Sequence, residues 1–119
     1  GGSIVNVSSL AAIYGMPMAL HYTVSKAAVI GMTRGLAREL GPSGVRVNAV
    51  APSAVATEGT KLFFGEKFQK AFEAIEKGQS LSGNVTMRDV NDSIVWLLSD
   101  RSRFVTGQTI MVDGGTIMN

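Results

Sequence analysis

Short β-branched runs alternate with longer helical patterns along this chain of 119 residues. Three runs have the composition of strands that are buried on both faces: 3–7 (SIVNV), 45–51 (VRVNAVA) and 109–112 (TIMV). Helical patterns separate them, and strand–helix–strand–helix–strand order is typical of a parallel sheet with right-handed crossovers. The pattern therefore predicts an α/β fold with three parallel strands and intervening helices.

The helix predicted between the first two strands runs from about His21 to Leu40, where Gly41 and Pro42 would stop it. Small and apolar residues lie nearly all round it, which is typical of a helix buried on more than one face. We therefore expect it to pack on the sheet and against a second helix, from this chain or from another subunit. The preceding residues 8–20 are expected to form a loop.

Residues 55–82, between the second and third strands, are polar, punctuated by glycine and expected to be partly helical. Their aromatic residues recur at helical spacing: Phe64, Phe68 and Phe72. Thr86 can cap a further helix, with Asp89 in its first turn. That helix carries an apolar stripe that should face the core: Val90, Ile94, Leu97 and Leu98.

Composition narrows the classes of function. Apolar residues make up 45% of the chain and charged residues 17%, as in globular proteins. The net charge of +2 is small and the cations are scattered, which argues against a nucleic-acid partner. There is no cysteine and His21 is the only histidine, so we expect no metal site. Without a run of about 20 apolar residues, we expect no membrane partner. The absence of cysteine also fits a reducing compartment, and we expect a cytoplasmic protein.

Ser9, Tyr22 and Lys26 are the candidate chemical groups. Tyr22 and Lys26 are four residues apart and share one helix face, and Ser9 follows a strand that can meet them at the mouth of the sheet. A phenol, an ammonium and a hydroxyl together suit proton transfer to and from a carbonyl or alcohol oxygen. Taken singly, each also fits a structural role, as a polar tip on a half-buried helix or a hydroxyl that caps a turn.

Four segments in order, SIVNVSS, YTVSK, NAVAPSAVAT and VTGQTIMVDGG, resemble the short-chain dehydrogenase/reductase family. The resemblance covers essentially the whole chain but only the C-terminal half of a typical member. It implies the C-terminal portion of a doubly wound, Rossmann-like parallel sheet. In such members the glycine-rich phosphate turn and the residue that chooses between NAD and NADP lie upstream. We therefore expect residues 1–119 to be the C-terminal catalytic part of a single Rossmann-like domain whose N-terminal cofactor-binding half is absent from this chain.

The resemblance implies an NAD(P)-dependent oxidoreductase that interconverts an alcohol and a ketone or other carbonyl. Tyr22 would be the general acid/base, Lys26 would favour the phenolate and bind the nicotinamide ribose, and Ser9 would hold the substrate oxygen. The cofactor, NAD or NADP, would supply the hydride. By family resemblance we also expect a small-molecule substrate and a homodimer or homotetramer.

Further site residues follow from the same resemblance. Cofactor contacts besides Tyr22 and Lys26 are expected from the loop that follows the second strand: Pro52, Ser53, Val55 and Thr57. Ser53 stands where the family usually has glycine, and a positive φ there would be costly for serine. Substrate contacts besides Ser9 are expected from the loop that follows the first strand: Ala11, Tyr14 and Met16.

Two other interpretations stay open. The chain could be a non-catalytic fragment, or half-domain, that needs a complementary N-terminal half, because the first strand would otherwise present an unpaired edge. It could also be a hydrolase that uses Ser9 and His21, although no G-x-S-x-G motif is present.

Overall fold

The computed structural model describes residues 1–118 and contains one three-stranded parallel sheet. The strands lie in the order β1 (Gly2–Val7), β2 (Val45–Pro52) and β3 (Thr109–Val112). Ile4 pairs with Val47 and Val50 with Ile110, so β2 is the central strand. The predicted α/β class, the parallel sheet and all three strands are confirmed, each strand to within one residue at either end.

Five α-helices fill the connections in the described residues: α1 (Ala11–Tyr14), α2 (Leu20–Leu40), α3 (Glu58–Phe64), α4 (Phe68–Lys77) and α5 (Met87–Leu98). Short 3₁₀ turns follow α2, α3 and α5. The long helix α2 begins one residue before its predicted start. Residues 8–20 are not a continuous loop, because α1 interrupts them. The single turn of α1 is too short to show a helical period, so no sequence pattern predicted it.

The two long connections cover opposite faces of the sheet. Asn6 on β1 donates a side-chain hydrogen bond to Thr33 on α2, at 3.1 Å. Val50 packs with Val90 and Leu97 of α5 in the hydrophobic core. Asn6 is paired with Ala49, the neighbour of Val50, and successive strand residues point to opposite faces. Helix α2 therefore lies on one face and α5 on the other.

The α2 surface away from the sheet remains exposed in the described part of the chain. Ile30, Thr33 and Ala37 are buried, whereas Val24 and Met32 have about half of their surface exposed. Helix α2 packs against the sheet and α1, so the expected burial on several faces is only partly met within residues 1–118. On α5, Leu98 is exposed although Val90 and Leu97 are buried as expected, because Leu98 lies at the edge of the apolar stripe.

Arg46 on β2 closes the C-terminal end of α5. Its guanidinium donates to the carbonyl oxygens of Leu97, Ser99 and Ser102, each at 3.0 Å. The last carbonyls of a helix lack partners within the helix and carry a partial negative charge. The half-buried Arg46 bonds to the carbonyl of Leu97 in the last turn and to two carbonyls just after the helix, and so ties the end of α5 to the central strand.

We expect Arg46→Met to lower the free energy of unfolding by about 2 kcal/mol, because it keeps an apolar stem but removes the charged hydrogen bonds to these carbonyls. The change is measured by denaturant unfolding of the full-length natural protein that contains this chain. Arg88→Met is the control, since the exposed Arg88–Asp92 pair (3.7 Å) should contribute almost nothing. An equal effect of the two substitutions would contradict the role given to Arg46.

Helix α5 begins after Thr86, the N-cap that the sequence predicts, and Asp89 in the first turn completes a capping box. The Thr86 hydroxyl accepts from the Asp89 amide, and the Asp89 carboxylate accepts from the Thr86 amide at 2.8 Å. The backbone N–H of Thr86, followed by its hydroxyl, holds the pKa of Asp89 below its ordinary value of 3.8. These bonds favour the charged carboxylate, so its contribution to stability is present above the unfolded-state pKa and is lost as pH falls through the lower folded-state pKa.

Asp89→Ala should therefore destabilise the protein more at pH 7 than in acid below the ordinary Asp pKa. Denaturant midpoints of the two proteins at several pH values measure the difference. Asn91→Ala, on the same helix, is a control whose effect should not vary with pH because no charge is removed. A pH-independent effect of Asp89→Ala would show that the charged carboxylate does not support the cap.

Candidate active site

The carboxyl ends of β1 and β2 are joined by hydrogen bonds that continue the sheet beyond β1. The Ser8 amide donates to the Val50 carbonyl at 2.8 Å, and the Leu10 amide donates to the Pro52 carbonyl at 3.0 Å. The Ser53 amide donates in turn to the Val112 carbonyl at the end of β3, at 3.1 Å. The predicted substrate loop and the predicted cofactor loop therefore start side by side at one edge of the sheet.

Tyr22 and Lys26 lie on adjacent turns of α2 and face the same region. The Lys26 ammonium is 5.7 Å from the centroid of the Tyr22 ring. It also donates to the Val7 carbonyl oxygen at 3.2 Å, so it lies at the carboxyl end of β1. Tyr22 is 39% exposed and Lys26 is half-buried. The phenol is thus open to a ligand, and the cation beside it is partly withdrawn from solvent.

Ser9 is half-buried and lies two residues after Val7, whose carbonyl holds Lys26. Its hydroxyl oxygen accepts a hydrogen bond from the Ala11 amide at 3.2 Å, which starts α1. A hydroxyl has one proton to donate and two lone pairs, so this contact leaves the proton of Ser9 available. The segment that carries Ser9 therefore lies at the same strand end as the Lys26 ammonium. Tyr22 lies close to this ammonium because the two residues are one turn apart on α2.

Ser8 is not among the predicted site residues, yet it contacts Lys26 directly. It is 2% exposed, and its hydroxyl donates to the backbone carbonyl of Lys26 at 2.8 Å. Two consecutive serines at a strand end do give a signal, because successive side chains of extended chain point in opposite directions. One serine can then face inward while the other faces the mouth of the sheet.

The cofactor loop is ordered by its own hydrogen bonds. Thr57 caps α3, with its hydroxyl accepting from the Thr60 amide at 3.2 Å, and the Thr60 hydroxyl donates to the Val55 carbonyl at 2.7 Å. Pro52 is the last residue of β2. Among the described residues, Met18 is the only non-glycine residue with positive φ, so Ser53 does not incur the backbone cost considered above. The Ser53 hydroxyl is buried and has no partner within residues 1–118.

The predicted substrate residues are spread along α1 and the turn after it. Ala11 is buried, Tyr14 is 61% exposed, and the Met16 amide donates to the Thr23 hydroxyl at the start of α2. Met16 lines an open pocket of about 530 Å³ with Pro17, Met18 and other residues of the turn. Ser9, Ala11 and Tyr14 do not line it, so the structure does not gather the four residues into one pocket.

A larger open groove, of about 710 Å³, lies between α2 and the segment that leads into β3. It is lined by Arg34, Ala37, Thr106 and Gln108 among others, and by none of the residues predicted for the site. Among residues 1–118 there is no cluster of three or more acidic, His or Cys side chains that could hold a metal ion. No helix in this part of the chain is both long and apolar enough to cross a bilayer.

Comparison with known proteins gives consistent matches along the chain. A family model described as enoyl-(acyl carrier protein) reductase matches residues 1–117. The 3-oxoacyl-[acyl-carrier-protein] reductase FabG of Thermotoga maritima is 43% identical over 117 residues, covering 98% of this chain and 46% of that protein. The A-factor type gamma-butyrolactone 1'-reductase of Streptomyces virginiae is 40% identical over 115 residues, covering 97% of this chain and 44% of that protein.

A solved structure agrees with these sequence matches. It is a 3-oxoacyl-[acyl-carrier protein] reductase with bound NAD from Brucella melitensis, and it superposes with a TM-score of 0.85 at 39% identity. The match covers 99% of this chain and 42% of that chain. The chain therefore spans less than half the length of the relatives that it matches. Given the motifs, the fold and these matches, the chain belongs to the short-chain dehydrogenase/reductase family.

Proposed function

We propose that the protein containing this chain is an NAD(P)-dependent oxidoreductase that interconverts an alcohol and a ketone or other carbonyl, with Tyr22 as general acid/base. The observation that carries this proposal is the position of the Lys26 ammonium, between the Val7 carbonyl and the Tyr22 ring, beside the segment of Ser9. A cation fixed next to a ligand-accessible phenol is what proton transfer from that phenol requires, because it stabilises the phenolate.

The side chains of Tyr22, Lys26 and Ser9 each have one role in this reaction. In reduction the Tyr22 hydroxyl donates its proton to the substrate oxygen, and in oxidation the phenolate takes the proton back. Lys26 stabilises the phenolate through its positive charge, and Val7 keeps that charge in place. The Ser9 proton is donated as a hydrogen bond to the substrate oxygen, which gains negative charge as a carbonyl is reduced.

The residues present fit the nicotinamide side of the cofactor. An ammonium has three donors, and Lys26 uses one of them on Val7, which leaves two for ribose hydroxyls. The loop Pro52, Ser53, Val55 and Thr57 starts at the same sheet edge and would contact the nicotinamide. When bound, NAD or NADP accepts or supplies the hydride, which no side chain can do. Three of the similar proteins are reductases by name, and the one from Brucella melitensis was solved with NAD bound.

We propose that residues 1–119 are the C-terminal catalytic part of a Rossmann-like domain and that a complementary half completes it. Within residues 1–118, β1 pairs only with β2, and Ile4 and Val7 are 40% and 47% exposed. An unpaired strand edge with exposed apolar side chains is suited to pairing with a further strand. The same observation supports the second candidate, in which this segment alone is a half-domain without turnover.

The hydrolase interpretation has less support. The Ser9 hydroxyl contacts the Ala11 amide, and His21 is exposed at the start of α2 with no hydrogen bond to Ser9 in the described residues.

We further propose a homodimer or homotetramer in the cytoplasm. The exposed apolar side chains on α2, Val24 and Met32, support a subunit contact there.

In the full-length natural protein that contains this chain, Tyr22→Phe should lower turnover by about 10²–10⁴-fold, because it removes the general acid and little else. Cofactor binding, measured by NADH and NADPH fluorescence, should persist. Turnover is measured with a panel of ketones that includes a 3-oxoacyl thioester. Ser93→Ala is the matched control, since it removes an exposed hydroxyl that bonds only within α5.

Full turnover in Tyr22→Phe would contradict the assignment of Tyr22. Ester hydrolysis that survives Tyr22→Phe and is lost in Ser9→Ala would instead support the hydrolase interpretation.

A further inference from the structure

We propose that Ser8 is a positioning residue for Lys26: its buried hydroxyl fixes the backbone of Lys26 to the end of β1 and so sets where the ammonium lies. This inference rests on the proposed function only for its effect on turnover. The contact itself is a feature of the fold, at 2.8 Å between the Ser8 hydroxyl oxygen and the Lys26 carbonyl oxygen.

Ser8 is itself held rigidly. Its amide donates to the Val50 carbonyl on the central strand at 2.8 Å, so its backbone continues the sheet ladder beyond Val7. Its side chain is 2% exposed, and water cannot readily replace the hydroxyl as a donor. A donor that is fixed to the sheet and shielded from solvent is suited to locating a helix turn relative to the strands.

Lys26 is consequently held at both ends. Its carbonyl accepts from Ser8, and its ammonium donates to the carbonyl of the preceding residue, Val7, at 3.2 Å. The carbonyl of a helical residue uses one lone pair for the amide four residues later, and the Ser8 hydroxyl occupies the other. Together the two contacts oppose sliding and rotation of α2 over the strand end.

The order of residues along the strand end adds to the argument. Val7 holds the ammonium, Ser8 holds the carbonyl, and Ser9 is the proposed substrate-binding hydroxyl. A shift of α2 by a fraction of an ångström would change the distance between Lys26 and anything that Ser9 binds. Small misplacements of this kind lower rates strongly, because proton transfer needs near-contact geometry.

Other buried hydroxyls in the chain bond differently. Thr33, at 0% exposure, donates to the carbonyl of Val29 in its own helix at 2.8 Å. Ser102 donates to Trp96 and Leu97, six and five residues away. Ser8 instead bonds across eighteen residues, from a strand to a helix, and its acceptor is the one lysine of α2. Ser102 therefore provides a control for a buried hydroxyl that bonds on the α5 side of the sheet and not to α2.

The first test uses the cofactor-free natural protein and needs no activity. Its lysines are converted to ¹³C-dimethyl-lysine, and the Lys26 signal is assigned by its loss in Lys26→Arg. Ser8→Ala should move this signal, Ser8→Thr should restore it towards the wild-type position, and Ser102→Ala should leave it in place. An unchanged Lys26 signal in folded Ser8→Ala would overturn the proposal. If Ser8→Ala does not fold, Ser8→Cys, which keeps the size and a weak donor, is expected to move the signal part of the way.

The second test is a double-mutant cycle on turnover and on NADH or NADPH affinity. Ser8→Ala should lower kcat by about tenfold in the wild-type background and have almost no effect on kcat or cofactor affinity in Lys26→Met. Its effect on the denaturant midpoint should be similar in both backgrounds, because the Lys26 carbonyl is still present. An equal loss of kcat in both backgrounds would show that Ser8 does not act through Lys26. A protein without any NAD(P)-dependent turnover would overturn the proposed function but leave the first test decisive for Ser8.

Discussion

The hydrogen bonding that continues from β1 into the following chain is the constraint on which the site depends. Parallel strands bring all their carboxyl ends to one edge, and the bonds from the Ser8 and Leu10 amides extend this alignment past the end of β1. Every group proposed to touch substrate or cofactor is placed relative to that edge. Ser9 and Pro52 belong to the aligned segments themselves, whereas Tyr22 and Lys26 reach the edge from α2. The geometry of the site is therefore a property of the sheet more than of the loops.

The two faces of the sheet hold their helices by different kinds of contact. The α5 face carries the apolar core around Val50 and Leu97, and Arg46 anchors the end of α5 there. The α2 face is joined to the sheet partly through polar contacts, such as that between Asn6 and Thr33. Apolar burial has no preferred direction, whereas a hydrogen bond does. The helix that carries the proposed chemistry is thus attached by the more directional kind of contact.

Local patterns in the sequence predicted most of the fold. The three strands, α2 and the Thr86 cap of α5 depend on residues close together in the chain, and each lies within one residue of its predicted place. The pairing of Tyr22 with Lys26 follows from helix periodicity in the same way. The two consecutive serines indicate that one of them faces inward, but the acceptor of Ser8 could not be predicted, because it lies eighteen residues away on another element. The conformation of Ser53 was equally hidden, since its φ depends on bonding to β3 and not on the identity of its neighbours.

The single hydroxyl of Thr57 has two roles, one in capping α3 and one in the proposed cofactor contact. In this structure it caps α3, a contact that contributes about 1 kcal/mol to a helix of this kind. This contact leaves the hydroxyl one proton and a second lone pair, so the proposed cofactor contact can form without displacing the Thr60 amide. A substitution of Thr57 would therefore remove the cap of α3 together with that proposed contact, and a loss of cofactor affinity would have to be separated from a loss of helix order.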